Sequence, residues 1–273
     1  MNSTTELPLS GIRVIDFTQV MMGPVATQML ADYGADVIKI ERPGTGDLSR
    51  TSSPIDPARL TGPVYCSLNR NKRSVVLDTR KPEDVAAVLC LLETADVIVN
   101  NFRPGVMERI GFGYEELAKR NPRLIYAIGT GFGLTGPYSH KGGQDVLAQA
   151  MSGVMVRRSD ASLPLSVYST TFADYSAGMH LVQGVLLALL QRQKTGRGQW
   201  LSVSLRFNAG GAVAGGSYAA DARSRAELGC DAAHRRVRDF RWRPRDGRRL
   251  QGQSDRRYQQ SARLTGGQEG CAL

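Results

Sequence analysis

Cysteine and histidine are scarce, with four of the first and three of the second in 273 residues. Cys66, Cys90, Cys230 and Cys271 include no C-x-x-C pair, which argues against a structural zinc site or a disulfide framework, and no metal site is expected. Free thiols fit a reducing compartment. Met1 to Ser10 is polar, carries Glu6 and lacks the apolar core of a signal peptide. Long apolar runs are missing too. The longest, Leu181 to Leu190, is interrupted by Gln183 and Gly184, short of the roughly 20 apolar residues that span a bilayer. These absences predict a cytoplasmic protein with no membrane partner.

What is present fits a globular chain: 41% hydrophobic and 22% charged residues, with 30 Gly and 12 Pro for many tight turns. The net charge of +10 is unevenly spread. From Arg206 to Leu273 there are 14 Arg, 7 acidic residues and no Lys, so residues 1–205 carry only +3. The basicity therefore argues against nucleic acid as the partner of the main body. The 206–273 segment also lacks Ile and Met, and Leu, Ile, Val and Phe make up 8 of its 68 residues, too few to build a core. One reading is a solvated basic tail that contacts RNA. The other is an aberrant, poorly ordered tail: Arg, Gly and Ala without Lys or Ile is what an out-of-frame reading of GC-rich DNA gives. The expected organisation is an α/β domain over 1–205 followed by the Arg/Gly-rich 206–273.

Residues 1–205 alternate between strand and helix patterns. Ile12–Phe17 and Asp36–Ile40 read as strands around a helix through Met29 and Leu30, stopped by Gly34. Ser74–Leu77, Asp96–Val99 and Leu124–Ile128 read as further strands. Pro82 opens a helix with Val85, Val88, Leu89 and Leu92 on one face. Short helices are expected near Pro104 and over Tyr114–Lys119, a helix over Asp145–Val154, a long one over Phe172–Gln193 and a strand over Gln199–Leu205. This pattern predicts an open, mainly parallel sheet with helices on both faces, a Rossmann-like α/β fold. Ligands of such sheets bind beyond the carboxyl ends of the strands.

Three features there bear on chemistry. The turn Asp16-Phe-Thr-Gln-Val-Met-Met-Gly-Pro24 offers helix-terminal N–H groups to an anion, or is an ordinary strand-to-helix turn. It contains no G-x-G-x-x-G or G-K-[ST], so a standard nicotinamide or P-loop site is not supported. Lys39, Arg42, Arg70, Lys72, Arg73, Arg103 and Arg109 flank strand ends. They are either solvated surface or a polyphosphate site. Asp174 opens the long helix, as a charge complementing the dipole or as a nucleophilic carboxylate.

Taken together, Val14-Ile-Asp-Phe-Thr18 with Gly23-Pro24, Ala35-Asp-Val-Ile-Lys-Ile-Glu-Arg-Pro-Gly44, Asn69-Arg-Asn-Lys-Arg-Ser74, Asn100-Asn-Phe-Arg-Pro-Gly105, Gly142-Gly-Gln-Asp-Val-Leu-Ala-Gln-Ala-Met-Ser-Gly153, Asp174 with Ser176-Ala-Gly-Met-His180, and Lys194-Thr-Gly-Arg-Gly-Gln199 resemble the family III CoA-transferases of the CaiB/BaiF type. The resemblance runs from about Leu9 to Leu205. It implies a large α/β domain, a second small domain that is not recognisable here, and an interlocked homodimer. The expectation is thus a truncated or frameshifted chain after about Leu205.

The resemblance also implies an activity: transfer of CoA from an acyl-CoA thioester to a free carboxylate through mixed anhydrides and an aspartyl-CoA thioester. CoA is then substrate and product, and no cofactor is held permanently. Asp174 matches the nucleophile. Gln19 and Val20 match the loop bordering CoA and the acyl group, Arg42 the residue at the adenine end, Lys72 and Arg109 phosphate contacts, and Asn101 and Phe102 the pantetheine arm. Lys141 matches a further basic residue on the CoA side. The related α-methylacyl-CoA racemases carry His where this chain has Gln144. Gln cannot carry a proton to or from an α-carbon, which favours transfer over racemisation. The alternatives are an α-methylacyl-CoA racemase-like enzyme and a non-catalytic CoA-binding protein with an RNA-contacting tail.

Overall fold

The computed structural model of the chain describes residues 6–52, 62–152, 155 and 166–206. Six strands, β1 (Arg13–Asp16), β2 (Asp36–Glu41), β3 (Arg73–Val76), β4 (Val97–Asn100), β5 (Ile125–Thr130) and β6 (Trp200–Ser204), form one sheet. Their order is β3-β2-β1-β4-β5-β6 and every pairing is parallel. The chain steps outward from β1 to β3, then returns to place β4 beside β1. That reversal opens a crevice at the carboxyl ends of β1 and β4, the usual ligand position in such sheets.

Alternation along the strands builds two cores. Val14, Val97, Val99, Ile125 and Ala127 face one way, into a cluster with Leu30 and with Leu181 and Val185. Ile15, Ile38, Ile98 and Tyr126 face the other way, against Val88, Leu92, Met107, Phe112 and Leu117. Successive side chains of a strand point to opposite faces, so apolar runs on β1, β4 and β5 require cover on both sides. The first face is covered by α1 (Met22–Asp32) and α7 (Phe172–Thr195). The second is covered by α3 (Pro82–Glu93), α4 (Val106–Arg109) and α5 (Tyr114–Arg120). Gly34 (φ +99°) follows α1 in the left-handed region that favours glycine.

Element boundaries follow the sequence pattern to within a residue or two. The helix expected over Asp145–Val154 is α6 (Asp145–Ser152), and its last two expected positions lie outside the described residues. The aberrant or RNA-contacting tail expected beyond Arg206 lies outside them as well. Among the described residues, two helical segments have no counterpart in the sequence pattern: the short 3-10 turn Leu48–Arg50 and α2 (Pro63–Leu68). The stretch Leu181–Leu190, read as too short to cross a bilayer, sits inside the 24-residue α7, which is long and apolar enough by length and composition. Here α7 behaves as a core helix, burying Ala173, Ala177, Leu181, Val182, Val185, Ala188 and Leu189.

Candidate functional site

The loops after β1 and β4 are stitched together across the crevice. The Gln19 N–H donates to Asn101 Oδ1 at 2.8 Å, and Asn101 Nδ2 donates back to the Gln19 carbonyl at 2.8 Å. The Gln19 side-chain carbonyl accepts the Leu48 N–H at 3.1 Å. Val20 follows with φ +66°. A β-branched residue in the left-handed region is strained and persists only where its surroundings over-determine it. Its N–H donates to Asp47 Oδ1 at 3.1 Å.

Beneath this loop lies a buried charge network. Asp16 Oδ1 accepts from the Thr18 N–H at 2.8 Å, and its Oδ2 accepts from the Thr27 hydroxyl at 2.7 Å and pairs with Lys72 Nζ at 3.2 Å. Lys39 Nζ donates to the Thr18 carbonyl at 2.7 Å and pairs with Asp47 Oδ2 at 2.9 Å. Glu41 accepts from the Asp47 N–H, from Ser74, from Tyr65 and from Arg50. Three carboxylates thus meet three cations, which is how buried charge is tolerated. Burial alone would raise Asp16, but Lys39, Lys72 and the hydroxyls of Thr18 and Thr27 hold its carboxyl at about 2. Burial would likewise raise Glu41, and hydrogen bonds from Arg50, Ser74 and Asp47 hold it at about 2. Burial lowers Lys72 to about 8 despite the opposing pull of Asp16.

Asp174 occupies the first turn of α7. Its N–H donates to Asp145 Oδ2 at 2.9 Å. Burial first, and then the Asp145 charge, push the Asp174 carboxyl up to about 7. Gly178, one turn further on, explains how this turn reaches the crevice. A Cβ there would lie 2.8 Å from the Met22 carbonyl oxygen and 2.9 Å from Val25, so only glycine lets α7 approach the first turn of α1. That turn directly follows the Gln19–Val20 loop. The segment before α6 is drawn to the same edge: Gly131 and Gly143 pack backbone to backbone.

The sequence-identified residues divide into two groups. Gln19, Val20, Asn101 and Asp174 belong to the loops and turns just described. Phe102, half-buried, packs on the cluster covered by α3, α4 and α5. Among the cations, Arg42 is exposed and donates to the Gly46 carbonyl at 3.2 Å. Arg103 lies against Gly142. Lys141 is exposed, with its Nζ 4.4 Å from the centre of the Tyr138 ring. Arg109 is exposed at the end of α4, and its guanidinium has no hydrogen-bond or ion-pair partner among the described residues. Four other cations are committed elsewhere. Arg70 pairs with Asp32, Arg73 with Asp36, and Lys39 and Lys72 are buried. Lys72 also donates to Asn69 Oδ1 at 2.8 Å and to the Pro24 carbonyl at 3.2 Å, so its three donors are taken up inside the fold rather than offered to a phosphate. The seven cations therefore do not make one polyphosphate cluster.

Asp16, Asp47 and Asp145 join the site only in the fold, although Asp16 carries a signal in the sequence: a carboxylate at the end of an otherwise apolar strand must be paired. Asp47 and Asp145 also have near neighbours as partners, Ser49 and Gln149, but their contacts with Val20 and Asp174 span 27 and 29 residues and no local pattern reveals them.

This geometry has counterparts among known proteins. A family model, CoA-transferase family III, matches residues 9–242, reaching past Leu205, where the motif resemblance ends. The chain is 45% identical over 199 residues to an acetyl-CoA:oxalate CoA-transferase of Acetobacter aceti, covering 72% of this chain and 51% of that protein. It is 43% identical over 205 residues to the beta subunit of a succinyl-CoA–L-malate CoA-transferase of Chloroflexus aurantiacus, covering 74% and 50%. It superposes on a CaiB/BaiF family protein from Brucella suis with a TM-score of 0.73 at 37% identity, over 77% of this chain and 56% of that one. The chain spans about half the length of the curated relatives it matches. With the parallel sheet, the stitched crevice and these matches in agreement, the chain belongs to CoA-transferase family III.

Proposed function

We propose that this chain carries the CoA-binding edge and the nucleophile of a CoA:carboxylic acid CoA-transferase. One observation carries the reading: Asp174 sits in a helix turn packed against the start of α1, and its carboxyl is lifted to about 7 by burial and by Asp145. A carboxylate with a raised pKa is a stronger nucleophile once ionised and remains available at neutral pH.

The reaction balances through two anhydrides. The Asp174 carboxylate attacks the acyl-CoA carbonyl, a C–O bond forms, the C–S bond breaks and CoA leaves as thiolate. The thiolate attacks the Asp174 carbonyl of the anhydride and releases the donor's carboxylate, leaving an aspartyl-CoA thioester. The acceptor carboxylate attacks that thioester and expels the thiolate again. The thiolate then attacks the acceptor carbonyl of the second anhydride, giving the new acyl-CoA and restoring Asp174. Each step exchanges one acyl bond for another, and no oxidant or metal enters the balance.

Gln19 and Val20 border the reacting acyl group, Asn101 and Phe102 the pantetheine arm. Arg42, Arg109 and Lys141 supply charge to the adenine and phosphate end. Lys72 acts from beneath, holding Asp16 and the loop in place. The relatives' names pair acetyl-CoA with oxalate and succinyl-CoA with L-malate, so the acceptor proposed here is a small dicarboxylate. Exposed Tyr175, Met179, Leu187 and Leu190 on α7 suit a second subunit. The test is transfer from acetyl-CoA or succinyl-CoA to oxalate or L-malate, followed by chromatography of CoA esters. Asp174→Asn should abolish transfer and keep CoA affinity within about twofold. Transfer undiminished in that variant would remove Asp174 from the mechanism.

A further inference from the structure

Thr171, the residue that caps α7, is of a type that normally satisfies the open N–H groups of a first helical turn, yet its side chain makes no capping bond. The carboxylate that takes the Asp174 N–H instead comes from another helix: Asp145, the first residue of α6. Asp145 is in turn held from within its own helix. Gln149, one turn along and 1% exposed, donates from Nε2 to Asp145 Oδ1. The same Gln149 amide reaches into the segment leading to α7. Its carbonyl accepts the Tyr168 N–H at 2.9 Å, and its Nε2 lies 3.4 Å from the Thr170 carbonyl. One buried amide therefore touches both the carboxylate that caps the Asp174 turn and the backbone that delivers it.

We propose that Gln149 is a positioning residue for Asp174, acting through Asp145 and through the backbone at Tyr168 and Thr170. The proposal rests on the reading of Asp174 as nucleophile, because positioning matters for rate only if Asp174 reacts. A buried glutamine at this place is otherwise a costly choice, since an apolar residue of similar volume would pack without polar groups to satisfy. Its donors and acceptor are matched to the three groups that define the turn, which is the arrangement expected where small displacements cost rate. With Gln149 on Oδ1 and the Asp174 N–H on Oδ2, both oxygens of the Asp145 carboxylate are engaged.

Two substitutions separate the parts. Gln149→Leu removes every bond. Gln149→Glu keeps an acceptor for Tyr168 N–H but sets a carboxylate against Asp145. Amide hydrogen exchange on the full chain reads the geometry without any substrate. In Gln149→Leu, protection at Tyr168 and Asp174 should fall by about tenfold or more, while amides at Leu181, Val185 and Ala188 keep theirs. In Gln149→Glu, Tyr168 should stay protected and Asp174 should not. In transfer assays both variants should lose kcat by about tenfold or more with KM for acyl-CoA within about twofold. Unchanged protection at Asp174 in both variants would overturn the proposal. So would an unchanged kcat in a variant whose Asp174 amide has lost protection. Undiminished transfer by Asp174→Asn would instead overturn the nucleophile reading, and the exchange result would still decide whether Gln149 holds the turn.

Discussion

At the residue scale, the cations show why position in sequence does not settle role. Lys72 and Arg109 both stand among strand-end basic residues, and resemblance implies a phosphate contact for each. In the fold, Lys72 is buried against Asp16, and the Arg109 guanidinium is exposed at the end of α4 without a partner among the described residues. The two therefore predict different failures. Lys72→Ala removes the ion-pair partner of the buried Asp16 and leaves it only the Thr18 and Thr27 hydrogen bonds and the nearby Lys39 charge, which should cost about 1.5–3 kcal/mol of stability in urea unfolding. Arg109→Ala should leave the unfolding midpoint unchanged and weaken CoA by about tenfold in calorimetry. An unaltered unfolding midpoint in Lys72→Ala, or unaltered CoA affinity in Arg109→Ala, would contradict these assignments. Lys39 held the one local hint of this division, because a lysine between Val37-Ile38 and Ile40 in a buried strand must find an internal anion. Its anion, Asp47, lies in a loop with no apolar period, so the pair could not be read from spacing.

At the element scale, β1, β2, β4, β5 and α7 were legible because their apolar patterns are dictated by burial on one or both faces. α2 was not. It opens on Pro63 but buries none of its residues, so no apolar stripe announces it. Its place is fixed by tertiary contacts: Tyr65 lies under the Arg50 guanidinium at 3.6 Å and donates to Glu41 at 3.0 Å. The α7–α1 contact was equally invisible, although it does most to bring Asp174 to the crevice. It depends on Gly178 having no side chain. Gly178→Ala should cost about 1–3 kcal/mol because the methyl meets the Met22 carbonyl oxygen, a backbone atom that cannot turn aside. Gly184→Ala provides the comparison. Its Cβ would meet Leu201 Cδ1 at 3.1 Å, the end of a side chain that can yield, and the change adds helix propensity of about 1 kcal/mol. Thermal unfolding of the two variants should rank Gly178→Ala well below Gly184→Ala, with transfer falling in the first. Equal stability would mean that α7 does not rely on that close approach.

At the scale of the whole molecule, the charge network and the proposed nucleophile pull pH dependence in opposite directions. Asp16 and Glu41 drop from ordinary values of 3.8 and 4.5 to about 2. A carboxylate lowered by folding contributes stability that is fully present above its ordinary value and is lost as pH falls toward its folded value. Acid unfolding should therefore steepen between about pH 4.5 and pH 2. Asp174 moves the other way, from 3.8 to about 7. Its contribution is present below about pH 4 and is lost as pH rises through about 7. Asp174→Asn should flatten the stability profile between those values and leave the acid limb intact. Denaturant unfolding at a series of pH values checks both; an unchanged slope between pH 4 and 7 in the variant would contradict the burial of this carboxyl. The same scale explains what could be read in advance. The parallel sheet, its cover on both faces and a ligand position beyond the strands' carboxyl ends follow from strand and helix alternation, whereas the strand order does not, and the Asp145–Asp174 contact spans 29 residues and emerges only when α6 and α7 meet.

The measurement that bears most directly on the central claim is chemical trapping of the acyl-enzyme. The chain is incubated with acetyl-CoA or succinyl-CoA and hydroxylamine, digested, and its acidic residues are surveyed by mass spectrometry. A mixed anhydride or aspartyl thioester at Asp174 reacts with hydroxylamine to give a hydroxamate on that side chain. Hydroxamate is expected at Asp174, formed only when acyl-CoA is present, and none at Asp145 or Asp16. Hydroxamate on another carboxylate with Asp174 untouched, or no acyl-CoA-dependent modification anywhere in a chain that transfers CoA, would contradict it.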